Sequence, residues 1–328
     1  MKKILSLLSV LFAVFSCIGE EKGAAEADPS KEELVSLRVS VPRADTRSMT
    51  ASEDDSVENV QLFVFDENEE LEAYESGNMK ETVFRCAPGS KKVVAIVNGP
   101  DFSHVRLYHE VAESISDLID DNKPGRLVMS GEKAVQVSGE EGSLDVPVQV
   151  CRLCAKIILS SLTLDFDVPY YRNMDFAVTG VYLLNVSGSC TYSGERSDDV
   201  WYNMMEADKE TGPELIGDLL PAPVSVAQGE QYPFRHELYC YPNDHADTSS
   251  PVWRPRSTRL VVEALVGNDR FFYPVTLNKV ERNSVYKVHL TLRRPGSQSP
   301  DDPVEVYWGK GIVEVAPWDV MDEIVEEI

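Results

Sequence analysis

Histidine, tryptophan and cysteine are scarce in this chain, and positive charge is in short supply. The 328 residues include 5 His, 4 Trp and 6 Cys, and 31 Lys+Arg stand against 55 Asp+Glu, for a formal net charge of -24 at pH 7. Such a surface repels phosphate backbones, which excludes the nucleic-acid-binding classes. No Gly-rich phosphate loop follows a strand pattern, and neither His-Glu-x-x-His nor Gly-x-Ser-x-Gly occurs. His104 and His109 lack a nearby third ligand and read as solvent-exposed. Acid pairs such as Asp198-Asp199 and Asp301-Asp302 have the composition of a glycosidase pair, but where acids are this abundant the default is solvated surface. The chain is therefore expected to be no enzyme and to hold no cofactor and no metal. What is present is enough apolar material for real cores: 43% hydrophobic against 26% charged. The length fits one large domain or two ordinary ones.

Long apolar runs are missing too. The longest, Ile4 to Phe15, follows Lys2-Lys3 and is shorter than the roughly 20 residues that span a bilayer. It closes on Ser16-Cys17, the pattern of a lipoprotein signal cleaved before a lipidated Cys17, with Phe15 a departure from the usual small-residue box. Residues 1–17 are expected to be that signal, and 18–33, rich in Ala, Glu, Gly and Pro, a linker. Glu20-Glu21, just after Cys17, fits either a surface-export signal or a polar tether.

Once Cys17 is set aside, Cys86, Cys151, Cys154, Cys190 and Cys240 remain, an odd number that cannot form a complete disulfide framework. Cys151-Arg-Leu-Cys154 has redox or zinc spacing but lies in Ser143–Ser160, which reads as strand. On a straight strand residues three apart face opposite ways, and no second Cys pair follows. These cysteines read as structural thiols.

Period-two alternation runs through the rest. Val35, Leu37, Val39 and Val41 form one face of Leu34–Val41, opposite Ser36, Arg38 and Ser40. Val60–Asp66 is apolar on both faces and reads as a central strand, closed by an acidic turn at Glu67–Glu70. Further strands are expected at Thr82–Cys86, Lys91–Val97, Leu144–Val150 with Pro147 suited to an edge, Ala177–Val186, Arg259–Val266, Phe271–Leu277 and Val285–Leu292. Two more, Val304–Trp308 and Ile312–Ala316, are expected around a Gly309-Lys-Gly311 turn. Val111, Ile115, Leu118 and Ile119 have the spacing of one amphipathic helix over Glu110–Ile119, and Asp198–Gln231, with three prolines, reads as irregular. Many short strands and one minor helix point to an all-β chain of β-sandwiches, with domains at 34–156 and 157–328.

A set of short motifs, taken in order, resembles the fimbrillins, subunits of the type V pili of Gram-negative anaerobes. They are Glu58-Asn59-Val60 leading into Leu62-Phe-Val-Phe-Asp66, Val93–Val97 ending at Asn98, and Leu127-Val-Met129-Ser130-Gly131, similar to the family's Met-Ser-Gly turn. Arg152-Leu-Cys-Ala155-Lys156, Tyr273-Pro-Val275, Arg282-Asn283 through Tyr286, Arg294-Pro-Gly-Ser297 and Val315-Ala-Pro-Trp318 complete the set. Each motif is weak alone; their order spans nearly the whole chain after the linker.

The resemblance implies two tandem transthyretin-like β-sandwich domains and a role as a shaft or accessory pilin, made as an outer-membrane lipoprotein precursor and then incorporated into a cell-surface fimbrium. It implies that an Arg-specific protease removes the N-terminal strand and that the groove accepts a strand from the C-terminal end of the next subunit. Arg47, on the polar loop after the first strand, is the expected cut, with Arg43 the alternative. The released strand carries Val35, Leu37, Val39 and Val41. Donor side chains come from Val304, Val306 and Trp308 in one run and from Val313, Val315 and Trp318 in another. Expected partners are other fimbrial subunits, as a homopolymer or with accessory subunits, the protease, host or bacterial surface receptors, and the membrane through the lipid. The acidic extension Asp319–Ile328 leaves open a tip or accessory subunit, a chain uncut at Arg47 that keeps its lipid would be an anchor subunit, and Trp201, Tyr202 and Trp253 leave open a monomeric surface glycan-binding lipoprotein.

Overall fold

A computed structural model describes residues 34–42, 56–123, 125–139, 142–206, 209–211, 219–247, 252–301 and 309–317. The alternation becomes sheet almost throughout. The first half contains β1 (Val35–Ser40), β2 (Val60–Phe65), β3 (Leu71–Gly77), β4 (Glu81–Cys86), β5 (Gly89–Val97), helix α1 (Tyr108–Ala112), β6 (Ile115–Asp117), α2 (Leu118–Asp121), β7 (Met129–Val137), β8 (Ser143–Pro147) and β9 (Cys151–Arg152). The second half begins with β10 (Ala155–Leu164), α3 (Pro169–Arg172), β11 (Phe176–Leu184), β12 (Val186–Ser187), β13 (Ser189–Thr191), β14 (Trp201–Tyr202), β15 (Met204–Glu206) and β16 (Lys209–Thr211). It ends with β17 (Leu219–Ser225), β18 (Gln231–Tyr232), β19 (His236–Cys240), β20 (Thr258–Val266), β21 (Asp269–Leu277), β22 (Ser284–Leu292) and β23 (Gly309–Pro317).

Two sandwiches follow one another. In the first, the sheet β4-β1-β8 faces the sheet β3-β2-β5-β7-β9. Val35, Leu37, Val39, Phe84 and Val146 from the former meet Leu62, Val64, Val93, Ala95 and Val97 from the latter. In the second, β18-β10-β22-β23, with β19 also on β10, faces β17-β11-β20-β21. Ile157, Leu159, Val178, Leu183, Leu260, Val262, Val288 and Leu290 belong to its interior.

The two-faced apolarity of β2 has a clear cause. Leu62 and Val64 point into the first core, while Phe63 and Phe65 join Val94, Ile96, Phe102 and Val105 in a cluster continuous with the second core. Both polar atoms of the buried Gln61 side chain are bonded: its Nε2 donates to Pro100 O (2.6 Å), and its Oε1 accepts from Tyr74 (3.1 Å) and from the Phe102 N–H (2.9 Å). The acidic turn after β2 is held by Asp66 Oδ1, which accepts from the N–H groups of Asn68 (2.8 Å) and Glu70 (2.9 Å). Those bonds lower the Asp66 pKa.

Four expectations are corrected. The helix over Glu110–Ile119 is two short helices separated by β6, because β6 pairs with β13 and Asp117 caps a new helix by accepting from Ile119 N and Asp120 N. Ile115 and Ile119 are therefore exposed, while Val111 and Leu118 are buried. Ser143–Ser160 is not one strand: β8 ends at Pro147, β9 is only Cys151–Arg152, and the chain leaves the first sandwich at Leu153-Cys154 before β10 begins. Met129-Ser130-Gly131 opens β7 and is not a turn. Asp198–Gln231 contains short strands, among them β17 at a sheet edge, where Pro221 and Pro223 leave no central ladder incomplete.

The motif residues meet at the joint between the sandwiches. The Arg282 guanidinium donates to the carbonyls of Ser130 (3.2 Å), Cys151 (2.9 Å), Arg152 (3.3 Å) and Ser193 (3.1 Å). Asn283, at φ 53°, accepts from Arg152 N (3.2 Å) and donates its own N–H to Cys154 O (3.0 Å). Gly131 lies so close to Gln149 that a Cβ would stand 1.9 Å from its carbonyl oxygen. Replacing Arg282 by Met keeps much of the apolar stem and strands these carbonyls. Urea unfolding is expected to show a loss of about 2–4 kcal/mol, and an unchanged midpoint would refute the joint's importance.

Candidate functional site

β1 is the middle strand of its three-stranded sheet. It runs antiparallel to β4, with Val35 opposite Cys86, Leu37 opposite Phe84 and Val39 opposite Thr82. On its other side it runs parallel to β8, with Leu37 beside Leu144 and Val39 beside Val146. β4 and β8 make no ladder with each other. Val35, Leu37 and Val39 are 2%, 0% and 0% exposed, so the inward face is fully covered, and Val41 is half-buried at the end. The ladder continues past the strand: Val41 N–H donates to Lys80 O (3.0 Å), and Val148 N–H donates to Ser40 O (2.8 Å). At the other end Cys86 Sγ lies 3.8 Å from Val35 O.

Three buried side chains at about 1.5–3 kcal/mol each give about 5–9 kcal/mol of gross apolar stabilisation. If β1 were absent, an apolar slot would open over Leu62, Val64, Val93 and Ala95, bordered by two strands with unpaired N–H and C=O groups. On the outer face, Arg38 Nε is 3.7 Å from Glu81 Oε1 on β4 and 3.7 Å from Asp145 Oδ1 on β8. The guanidinium thus bridges both flanking strands. The alternation identified β1, but its parallel partner β8 and the two flanking acids were not read from the sequence. The outward Asp145 between Leu144 and Val146 was the available signal.

The second expected element is β23. It forms an edge strand, antiparallel to β22 over its whole length, with Val313 opposite Val288 and Val315 opposite Tyr286. Val315 is 57% exposed. Gly309-Lys-Gly311, expected as a turn, is part of this strand, opposite Leu292–Leu290, where an edge position tolerates glycine. Cys17, Arg43, Arg47, Val304, Val306, Trp308 and Trp318 lie outside the described residues.

The other candidate groups are engaged in the fold. Trp201 and Tyr202 are buried; Trp201 meets Trp253 edge-on at 5.4 Å, the Trp253 indole donates to Asn185 Oδ1 (3.1 Å), and the Tyr202 hydroxyl donates to the Asp117 carboxylate (2.7 Å). These rings form no exposed platform. Asp198 is bonded to His245 (3.0 Å). Asp301, expected as solvated surface, is instead clamped by buried Arg259 and by Arg256 (3.1 Å). His104 and His109 are exposed, as expected. Among the described residues no three His, Cys, Asp or Glu side chains are placed to hold a metal ion.

Cys86, Cys151, Cys154, Cys190 and Cys240 are free thiols. Burial pushes the Cys86, Cys190 and Cys240 thiols up, whereas Cys151 is half-buried at an open cleft of about 520 Å³ beside Arg282.

Residues 35–144, from the first residue of β1 into β8, match the family model described as "Major fimbrial subunit protein (FimA)". No curated protein matches the chain. The fold is shared with solved structures. A fimbrilin from Porphyromonas gingivalis W83 has a TM-score of 0.60 at 16% identity, over 88% of this chain and 99% of that one. A protein from Bacteroides eggerthii, provisionally assigned to cell adhesion, reaches 0.67 at 18% identity over 87% and 96%. A tip fimbrial protein from Porphyromonas gingivalis, solved with a C-terminal truncation, reaches 0.51 at 14% over 87% and 100%. The resemblance to the fimbrillins and the fold it implies are borne out.

Two measurements check this geometry. Leu37→Ala is expected to destabilise the chain by about 2–5 kcal/mol in equilibrium unfolding, and Ser36→Ala by less than about 0.5 kcal/mol; equal effects would contradict the assigned faces. Among the five described thiols, a thiol reagent at pH 8 should label Cys151 in the native protein. The other four should react only after unfolding, and rapid native labelling of Cys190 or Cys240 would contradict their burial.

Proposed function

We propose that this chain is a structural subunit of a cell-surface fimbria that polymerises by protease-triggered strand exchange and supports adhesion. One observation carries the reading: β1 fills the centre of a three-stranded sheet, so that its loss leaves a slot open on both sides. The family match over 35–144 and the fold shared with a fimbrilin support it.

In this reading the precursor is exported as an outer-membrane lipoprotein acylated at Cys17, and an Arg-specific protease cuts at Arg47 or, failing that, at Arg43. The cut removes the lipid together with β1. The slot then takes a strand from a neighbouring subunit, and the chain's own C-terminal region leaves β22 to serve another. Edge-strand pairing supplies main-chain hydrogen bonds, and the slot selects alternate side chains. No bond chemistry beyond the initial cut is needed, so the assembled protein works as a polymer unit and not as an enzyme. Its partners are other fimbrial subunits and the receptors the fimbria meets.

The test is treatment of purified precursor with an Arg-specific protease. Denaturant-resistant ladders are expected after cleavage, and a chain ending at Asp301, which lacks β23, should fold yet fail to extend them. Persistent monomers after mass spectrometry confirms loss of 34–42 would overturn the reading.

A further inference from the structure

The outer face of the slot has a charge pattern that names its occupant. The central outward position of β1 is Arg38, and the two strands that would remain each present a carboxylate to it: Glu81 from β4 and Asp145 from β8, both 3.7 Å from its Nε. Among the described residues neither acid pairs with another cation; Lys133 of β7 reaches β8 but donates to the Pro147 carbonyl (3.3 Å). Val83 is directly opposite Arg38 on β4; Arg85 faces Ser36, farther along the ladder, and Pro147 is beside Ser40. With β1 gone, two acids face the middle of the groove with no cation between them.

We infer that the slot selects a strand from a different subunit, one with a Lys or Arg at its central outward position between inward apolar residues. This rests on the strand-exchange reading and adds the class of partner. The chain's own tail does not have the pattern. Beyond Asp301 its sole basic residue is Lys310, which lies between Gly309 and Gly311. A placement that aims Lys310 outward at the acids puts glycines where Leu37 and Val39 fill the core. The apolar runs instead carry Glu305 and Tyr307 outward in Val304–Trp308, and Glu314 outward in Val313–Val315. No placement supplies both the apolar fill and the central cation. Like charges across neighbouring strands oppose pairing. The chain's own tail therefore fills the slot, and lets the purified chain form ladders, but less tightly than a strand from another subunit that carries the central cation.

The experiment uses the full chain cut by an Arg-specific protease and freed of β1 in mild denaturant. Three fluorescent peptides are titrated: residues 34–42, the same peptide with Arg38→Glu, and residues 303–317. At low salt the 34–42 peptide should bind about tenfold more tightly than either of the others, a difference equal to about 1.4 kcal/mol. Its advantage over the Arg38→Glu peptide should collapse at about 1 M salt, where the Debye length is about 3 Å. In a chain carrying both Glu81→Lys and Asp145→Lys, the Arg38→Glu peptide should become the tighter ligand. Equal binding of the 34–42 and Arg38→Glu peptides at low salt would overturn the charge selection. Binding of 303–317 as tight as that of 34–42 would overturn the assignment to a different subunit. Binding of none, with 34–42 confirmed lost, would instead overturn strand exchange itself.

Discussion

The first sandwich depends on a strand that reaches the middle of its sheet from the far N-terminal side of the described fold. β4 and β8 join one sheet only through their ladders with β1, so one side of that core exists because Val35, Leu37 and Val39 complete it. A central strand joined to the rest of the described fold through the polar segment 43–55 is covalently released by one cut there. It is energetically hard to lose, because apolar burial and two ladders hold it. A lasting subunit with an exchangeable part needs this combination.

The opposite sheet of that sandwich has a second support. Phe63, Phe65, Val94 and Ile96 on its far face belong to the cluster that continues into the second core. Arg282 and Asn283 tie the main chain across the same joint. Several motifs that carried the resemblance are therefore explained by backbone geometry. Asn98 and Asn283 adopt positive φ and bond to distant main chain, Gly131 admits a carbonyl where a Cβ would clash, and Arg282 gathers four carbonyl groups at the junction of the two sandwiches. None of these roles involves catalysis.

The sequence made the strands legible wherever one face was buried, as in β1 and β22, and it showed β2 as central because both its faces pack. It was silent where the outcome depended on distant partners. Ile115–Asp117 had helical spacing but was captured by β13, and Glu81 and Asp145 became one site only through pairings with β1. Within the candidate site, β1 was readable from alternation alone. Its flanks were not, because a parallel ladder between residues more than a hundred positions apart leaves no local pattern. Asp301 read as surface for the same reason: the arginines that clamp it arrive from β20 and the loop before it.

The parallel and antiparallel ladders on the two sides of β1 also fix how a filament of such subunits would bear tension. A strand seated between β4 and β8 and pulled along its own axis is loaded in shear, so that its hydrogen bonds resist together instead of opening one after another from an end. The grip of Arg282 on the carbonyls around β7 and β9 would carry that load from one sandwich to the next, placing the joint in series with the slot.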